Sequence, residues 1–186
     1  MLNRRISIIA IMMAAANVFF TVHLYSQEGD QNFSILFNPL KLFSQFLEDE
    51  FQIEFDFQVR INDYWNIMLR PNISINDSKQ NDISLSLTPG LKFRPFGTGL
   101  KGIYISLYPN IGWQNATIEN TNNNYLLIGI GAEAGHQWIF SNGFTFNLGG
   151  GVTKNRRIGL NGAYMYPKEE NIWQNVRLMF LLGYSF

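Results

Sequence analysis

The last twelve residues, NVRLMFLLGYSF (175–186), decide how the rest of the sequence is interpreted. From Val176 to Phe186 every second residue is large and apolar, whereas the residues between them include Arg177, Gly183 and Ser185. A period of two is typical of a β-strand with one apolar and one mixed face. Soluble domains usually let their final residues fray into water. The ending therefore predicts a strand whose apolar face is covered up to the last residue.

The same alternation recurs along the chain. In FQIEFDFQVR (51–60), for example, phenylalanine, isoleucine and valine alternate with charged and amide residues. Eight segments behave in this way, and we predict a strand in each: 33–37, 51–60, 65–75, 83–94, 103–114, 125–138, 144–153 and 174–186.

The connections between these segments alternate in length. Short connections with turn residues are expected at 61–64, 95–102 and 140–143, and longer polar ones at 38–50, 76–82, 115–124 and 155–173. Short turns at one end and longer loops at the other are the plan of outer-membrane barrels. The sequence therefore predicts an all-β fold, an eight-stranded antiparallel transmembrane β-barrel.

Composition excludes several classes of function. The formal net charge of the 186 residues is zero, so no basic excess is present to neutralise the phosphates of a nucleic acid. The sequence has no cysteine, which excludes disulfides and thiolate metal sites. Aromatic residues make up 15% of the chain although the mean hydropathy is only −0.05. Apolar and polar residues must therefore be interleaved.

The first 26 residues differ from the rest. Arg4 and Arg5 precede an uncharged apolar run from Ile6 to Ala16, which is the layout of a secretory signal peptide. Cleavage is expected after Ser26, with Ala16 as the other candidate position, and an uncleaved membrane anchor is the alternative. The interpretation gives a signal peptide at 1–26 and an outer-membrane barrel domain at 27–186.

Alternation alone fits a soluble barrel with an apolar interior or a membrane barrel with an apolar exterior. The position of the aromatic residues favours the second. Five lie on the apolar face near the short connections, and Trp113 lies on it near the long ones; the five are Trp65, Phe93, Trp138, Phe144 and Phe186. Aromatic rings favour the headgroup level of a bilayer. We expect the apolar face to meet lipid.

With this pattern, the chain resembles the small eight-stranded outer-membrane barrels of the OmpA, OmpX and OmpW kind. The most specific element is the ending VRLMFLLGYSF, in which Tyr184 and Phe186 sit where that family carries its assembly signal. The resemblance implies location in the cell outer membrane. It also implies two partners, the outer-membrane lipid and the barrel-assembly machinery.

Three prolines fall inside the predicted strands: Pro71, Pro89 and Pro109. Each removes a hydrogen bond from the ladder, because proline has no N–H, and a closed barrel has no free edge. We therefore expect β-bulges at these positions, or strands that end earlier.

Charged residues within the strands fall on the face opposite the apolar one, which would be the lumen. They are Glu54, Asp56, Arg60, Arg70, Lys92, Arg94, Glu133 and Arg177. The interior of eight strands is just wide enough for side chains to fill. Buried charges must pair or stay hydrated. We predict one ionic network that fills the lumen, with a selective pore or a proton path as the less favoured interpretation.

Catalytic chemistry is not indicated. The predicted mature chain has one histidine, His136, and no histidine–serine pair of the outer-membrane deacylase type. One histidine and scattered carboxylates do not have the spacing of metal ligands, and no cofactor is expected. Glycines such as Gly129, Gly131 and Gly135 lie within alternating strands rather than before a helix. They indicate room for a bulky neighbour in the lumen or a bend in the barrel wall.

Two loops carry further features. Leu40, Phe43, Phe46 and Leu47 have helical spacing, which predicts a short amphipathic helix that caps the barrel mouth or lies at the membrane surface. The segment 155–173 suits recognition at the surface, through Arg156, Arg157, Tyr164, Tyr166, Glu169 and Glu170.

The sequence as a whole predicts a non-enzymatic outer-membrane protein with a structural or surface-binding role. A narrow pore for small solutes and an exported soluble ligand-binding barrel are the alternatives. The sequence names no surface ligand.

Overall fold

The computed structural model describes residues 31–42, 50–76, 82–118, 121–160 and 176–186. They form a closed barrel of eight antiparallel strands, each hydrogen-bonded to its sequence neighbours, so the predicted all-β eight-stranded architecture is confirmed. The strands are β1 (Phe33–Phe37), β2 (Glu50–Arg60), β3 (Trp65–Asn76), β4 (Asp82–Phe93), β5 (Gly102–Ile118), β6 (Thr121–Ile139), β7 (Phe144–Gly159) and β8 (Val176–Ser185).

The barrel closes between the first and the last strand. The N–H of Phe33 donates to the carbonyl of Phe186, and the N–H of Phe186 donates back to Phe33, each over 2.9 Å. Both ends of the barrel chain therefore lie at the end that carries the connections 61–64, 94–101 and 140–143, which we name the turn end. The opposite end, with the connections 38–49, 77–81, 119–120 and 160–175, is the loop end.

The strands are strongly staggered around the barrel. A line of register partners that starts at Phe33 crosses every strand and reaches β8 at Val176. Phe33 itself bonds with Phe186, about ten residues further along, and this offset is the shear that closure of a tilted sheet requires. The barrel is narrow enough for side chains from opposite strands to meet in its centre.

Along the strands of the wall, outward-facing and mostly apolar side chains alternate with inward-facing and mostly polar ones. In β3, exposed Trp65, Ile67 and Leu69 alternate with fully buried Asn66, Met68 and Arg70. The exposed large side chains of the strands are apolar except for Lys154, Arg156 and Arg157 toward the loop end of β7, whereas seventeen buried side chains are polar or charged. The apolar face of the wall therefore points outward and the polar face inward.

Aromatic side chains form contacts around the outside of the turn end. Trp65 packs on Phe93 with ring centroids 4.9 Å apart, and Phe33 meets Phe186 edge-on at 5.2 Å. Phe144 contacts Tyr184 at 5.9 Å. We call this ring of aromatics the turn-end belt.

Two predicted loops are wrong in extent. Residues 115–124 were expected as a loop, but β5 and β6 continue through them to a connection at 119–120. Asparagine is a poor strand former by itself, yet opposed asparagines can pair across strands: Asn115 donates to Asn124 over 3.0 Å. Likewise β7 continues to Gly159 and takes in Arg156 and Arg157, because it pairs with the lengthened β6.

The expectation of bulges or early strand ends at the prolines is also wrong. Register partners Glu54–Asn72 and Phe57–Leu69 flank Pro71 in the same register, so no residue is inserted there. The β4–β5 ladder skips the level of Pro89 and Pro109 in the same way and resumes unchanged. Each proline interrupts the ladder on one side while the pairing on its other side continues. The missing N–H therefore costs a bond without shifting the strands.

Several predictions concern residues outside the described ranges. These include the signal peptide at 1–26, Phe43, Phe46 and Leu47 of the predicted helix, and the loop residues Tyr164, Tyr166, Glu169 and Glu170. Residues 39–42 are helical. No helix in the described ranges is long and apolar enough to cross a membrane.

Candidate functional site: a charged interior beneath a polar well

Four charged side chains meet in the middle of the barrel, and we name them the central cluster: Asp56, Arg70, Lys92 and Glu133. Arg70 donates to Asp56 over 2.8 Å and to both carboxylate oxygens of Glu133 over 2.8 and 2.9 Å. Lys92 lies 3.0 Å from Asp56 and 3.7 Å from Glu133. Two bases thus share two acids. All four side chains are almost fully inaccessible to solvent.

The closed, narrow barrel is what brings these groups together. They come from β2, β3, β4 and β6, and Arg70 is separated from Glu133 by 63 residues in sequence. Each projects inward because it shares the polar parity of its strand. Buried ionic groups are costly unless each is paired. The reciprocal pairing of the central cluster meets that requirement.

A second ion pair lies nearer the loop end. Arg177 donates to Glu54 over 2.7 Å, and the amide of Asn38 donates to the other oxygen of Glu54 over 3.0 Å. The side chain of Arg177 is 22% exposed, so this pair is partly hydrated. The pair links the end of β1, β2 and β8 across the barrel seam.

Two of the eight predicted lumen residues do not join these ion pairs. Arg60 pairs with Asp63 in the connection at the turn end. Arg94 is fully buried, and within the described residues no carboxylate forms a salt bridge with it. Its partners are the carbonyl of Gly102 and the side chains of Gln58 and Gln137.

Two buried tyrosines of β5, Tyr104 and Tyr108, lie beside the central cluster, and neither was predicted as a site residue. The ring of Tyr104 lies under Lys92, whose ammonium is 4.5 Å from its centroid, and the guanidinium of Arg70 is 5.9 Å from that of Tyr108. The neighbouring strand makes space with glycine: a Cβ on Gly131 would stand 2.3 Å from the Tyr108 ring. Glycines on β6 opposite tyrosines on β5 are the signal that could have located these rings.

Toward the turn end the interior is filled. Leu36, Met68, Met179 and Leu181 are completely buried. Below them three hydroxyls form a chain, in which Ser185 is 2.5 Å from Ser34 and 2.7 Å from Thr145. Among the described residues, the turn-end half of the barrel is thus closed by side chains.

Toward the loop end the interior opens into a polar well of about 320 Å³. Its wall consists mostly of hydroxyl and amide side chains, among them Ser84, Ser86, Thr88, Asn72, Asn110 and Asn155. Thr88 donates to Asn110, and Asn110 donates to Asn155, each over 3.0 Å. The Glu54–Arg177 pair and Tyr108 also line the well, which places it directly above the central cluster.

His136, the histidine of the barrel domain, takes no part in this interior. It has the outward parity of β6 and stacks on Trp138 with ring centroids 4.1 Å apart. The described ranges hold no group of three or more histidine, aspartate or glutamate side chains suited to a metal ion. Polar side chains described inside the barrel form ion pairs and hydrogen bonds with one another.

Comparisons of the chain with protein-family models, curated proteins and solved structures found no match.

Proposed function

We propose that the chain is an integral outer-membrane barrel with a closed interior, resembling small barrels of the OmpA, OmpX and OmpW kind. The observation that carries the proposal is the inversion of its faces. Exposed Leu107, Ile130 and Leu178 lie outside, at 65%, 67% and 76% exposure, while charged Asp56, Arg70 and Lys92 are buried inside. Monomeric soluble proteins rarely expose a contiguous apolar surface of this kind. Lipid is the solvent that suits it.

The dimensions of the wall support insertion. A strand needs about 9–11 residues to cross the hydrocarbon core. With the exception of β1, the strands contain 10 to 19 residues. The turn-end belt would lie at the periplasmic interface, since aromatic rings favour headgroups. The lengthened β5, β6 and β7 would then project beyond the outer surface.

The role that this arrangement favours is structural or surface-binding and not catalytic. The central cluster and the residues below it close the lumen on the turn-end side. The polar well would face the cell exterior, where a hydrophilic envelope component could enter it. Phe186, at the barrel seam, would serve as the signal for the assembly machinery.

Localisation and heat-dependent mobility test the proposal directly. We expect the protein in the outer-membrane fraction, with a gel mobility that changes on boiling. Trp65 and Trp138 should be quenched by lipids brominated on the acyl chains. Recovery from the aqueous periplasmic fraction, without quenching in vesicles, would contradict membrane insertion.

A matched pair of variants tests which face meets lipid. Leu107→Arg places a charge in the middle of the apolar band, and we expect it to destabilise the barrel in vesicles by about 2–4 kcal/mol. Phe96→Arg changes a side chain that is 71% exposed in the connection at the turn end, where the cost should be about 0–1 kcal/mol. Equal effects would show that the band does not face hydrocarbon.

Planar-bilayer recording addresses the narrow pore. The closed interior predicts no steady conductance from the purified protein. Stable single-channel steps would support the pore instead.

A further inference from the structure

Among the described residues, the charges enclosed in the barrel do not balance. The acids are Glu54, Asp56 and Glu133; the bases are Arg70, Lys92, Arg94 and Arg177, with Lys41 at the wall of the well. Arg177 is paired with Glu54, while Arg70 and Lys92 share Asp56 and Glu133. Arg94 therefore remains without a carboxylate partner in the described part of the chain.

The neutral partners of Arg94 satisfy it incompletely. Its Nη1 donates to the carbonyl of Gly102 over 3.0 Å, but Nη2 reaches the amide oxygens of Gln58 and Gln137 only over 3.5 and 3.4 Å. These lengths exceed the usual N–H···O range of 2.7–3.2 Å. The ring of Tyr104 lies 5.3 Å away, but the same ring also faces Lys92. The charge is thus only partly compensated.

Unused hydrogen-bond donors collect around this guanidinium. The Nε of Arg94 and the Nε2 atoms of Gln58 and Gln137 are buried without a partner. Nε and Nη2 form one edge of the guanidinium, and Nη2 is the atom that faces both glutamines. The residues on β2, β4 and β6 therefore present three unpaired donors beside one buried positive charge.

We propose that Arg94, Gln58 and Gln137 together bind a small inorganic anion of the chloride class. Arginine does not lose its proton in proteins, and an isolated buried charge is very costly. No carboxylate of the described residues forms a salt bridge with Arg94, and a bound anion would supply the counter-charge. A monatomic anion accepts from several donors at once. The inference extends beyond the proposed function, because it depends on the interior of the folded barrel and not on membrane insertion.

A bridging water is the rival occupant. Asp56 Oδ1 and Ser106 Oγ are also buried without partners. A water could accept from two of the three donors around Arg94 without bringing a charge, whereas an anion would also be repelled by the Asp56 carboxylate, one oxygen of which has no partner. The two occupants differ in their response to chloride at fixed ionic strength.

The test is thermal unfolding of the refolded full chain in detergent, with sodium chloride replacing sodium gluconate at constant ionic strength. Bound chloride stabilises the folded state by mass action. We expect the midpoint to rise by about 3–5 °C for each tenfold increase in chloride above its dissociation constant. Arg94→Gln should abolish this rise. Arg60→Gln, which removes a base paired with Asp63 at the same end of the barrel, should retain it.

A double variant keeps the test decisive if Arg94→Gln does not fold. Gln58→Leu with Gln137→Leu preserves the positive charge but removes two donors, so the chloride response should weaken. A crystal soaked in bromide should show an anomalous peak between the three side chains. An unchanged midpoint in chloride, an equal response of Arg94→Gln, or the absence of the bromide peak would overturn the proposal and favour water.

Discussion

The two halves of the barrel share strands and alternation but differ in their interiors. In the turn-end half, Met68, Leu181 and the hydroxyl chain of Ser34, Ser185 and Thr145 exclude solvent. In the loop-end half, serine and asparagine side chains surround a well of about 320 Å³. The central cluster lies between them. The comparison indicates that the packed turn-end half contributes most to stability. The side chains around the well in the loop-end half should contribute less.

The largest difference should come from breaking the central cluster. Arg70→Gln leaves Asp56 and Glu133 buried with Lys92 as their remaining base, and we expect a loss of about 3–5 kcal/mol in unfolding free energy. Arg177→Gln is the comparison at the edge of the well, where the Arg177 side chain is 22% exposed but that of Glu54 only 4%, and it should cost less, about 1–3 kcal/mol. Equal losses in denaturant titrations would show that the central cluster is hydrated.

The close fit of the tyrosines offers the next test. A side chain on Gly131 would overlap the Tyr108 ring, so Gly131→Val should destabilise by about 1–3 kcal/mol through overpacking. Gly150 lies on the outward face with the nearest atom 3.6 Å from an added Cβ, so Gly150→Ala should change stability by less than about 0.5 kcal/mol. Unfolding midpoints of the two variants provide the measurement. A tolerated Gly131→Val would mean that the ring can move aside.

Hydroxyl deletions compare the two interiors directly. Thr145 contacts Ser185 and donates to the carbonyl of Gly143, so Thr145→Ala should cost about 1–2 kcal/mol. Ser86→Ala removes a hydroxyl that faces the well and should change stability by less than about 0.5 kcal/mol. If chemical denaturation ranks them in the opposite order, the well is more structured than its lining indicates.

The smallest effect on stability is expected at the chain end. Phe186→Ser removes the edge-on contact with Phe33, worth about 0.5–1.5 kcal/mol. Phe33→Ser removes the same contact and serves as the matched control. If Phe186 is an assembly signal, only its variant should reduce outer-membrane yield severalfold while refolded stabilities stay equal. Similar yields from both variants would show that the terminal ring contributes packing alone.

The sequence by itself determined the number of strands and the two faces of each. A strand places successive side chains on opposite sides, so the alternation in 51–60 and 176–186 assigns each residue to one of two faces without knowledge of its neighbours, and the position of the aromatic residues predicts which face is outward. The apolar C-terminal strand predicts a partner for its last residues, and in the structure that partner is β1. The strand number and the two faces are local properties, and local periodicity is sufficient to predict them.

The tertiary structure decided what depends on which strands face each other. Register and stagger bring Arg70 to both Asp56 and Glu133 and place Tyr108 against Gly131. They also leave Arg94 without a carboxylate partner among the described residues. The continuation of β5 and β6 through asparagines depends on register too, because these residues gain their strand stability from partners across the ladder. Side chains that meet across a barrel are distant in sequence, and only the closed fold sets the distances between them.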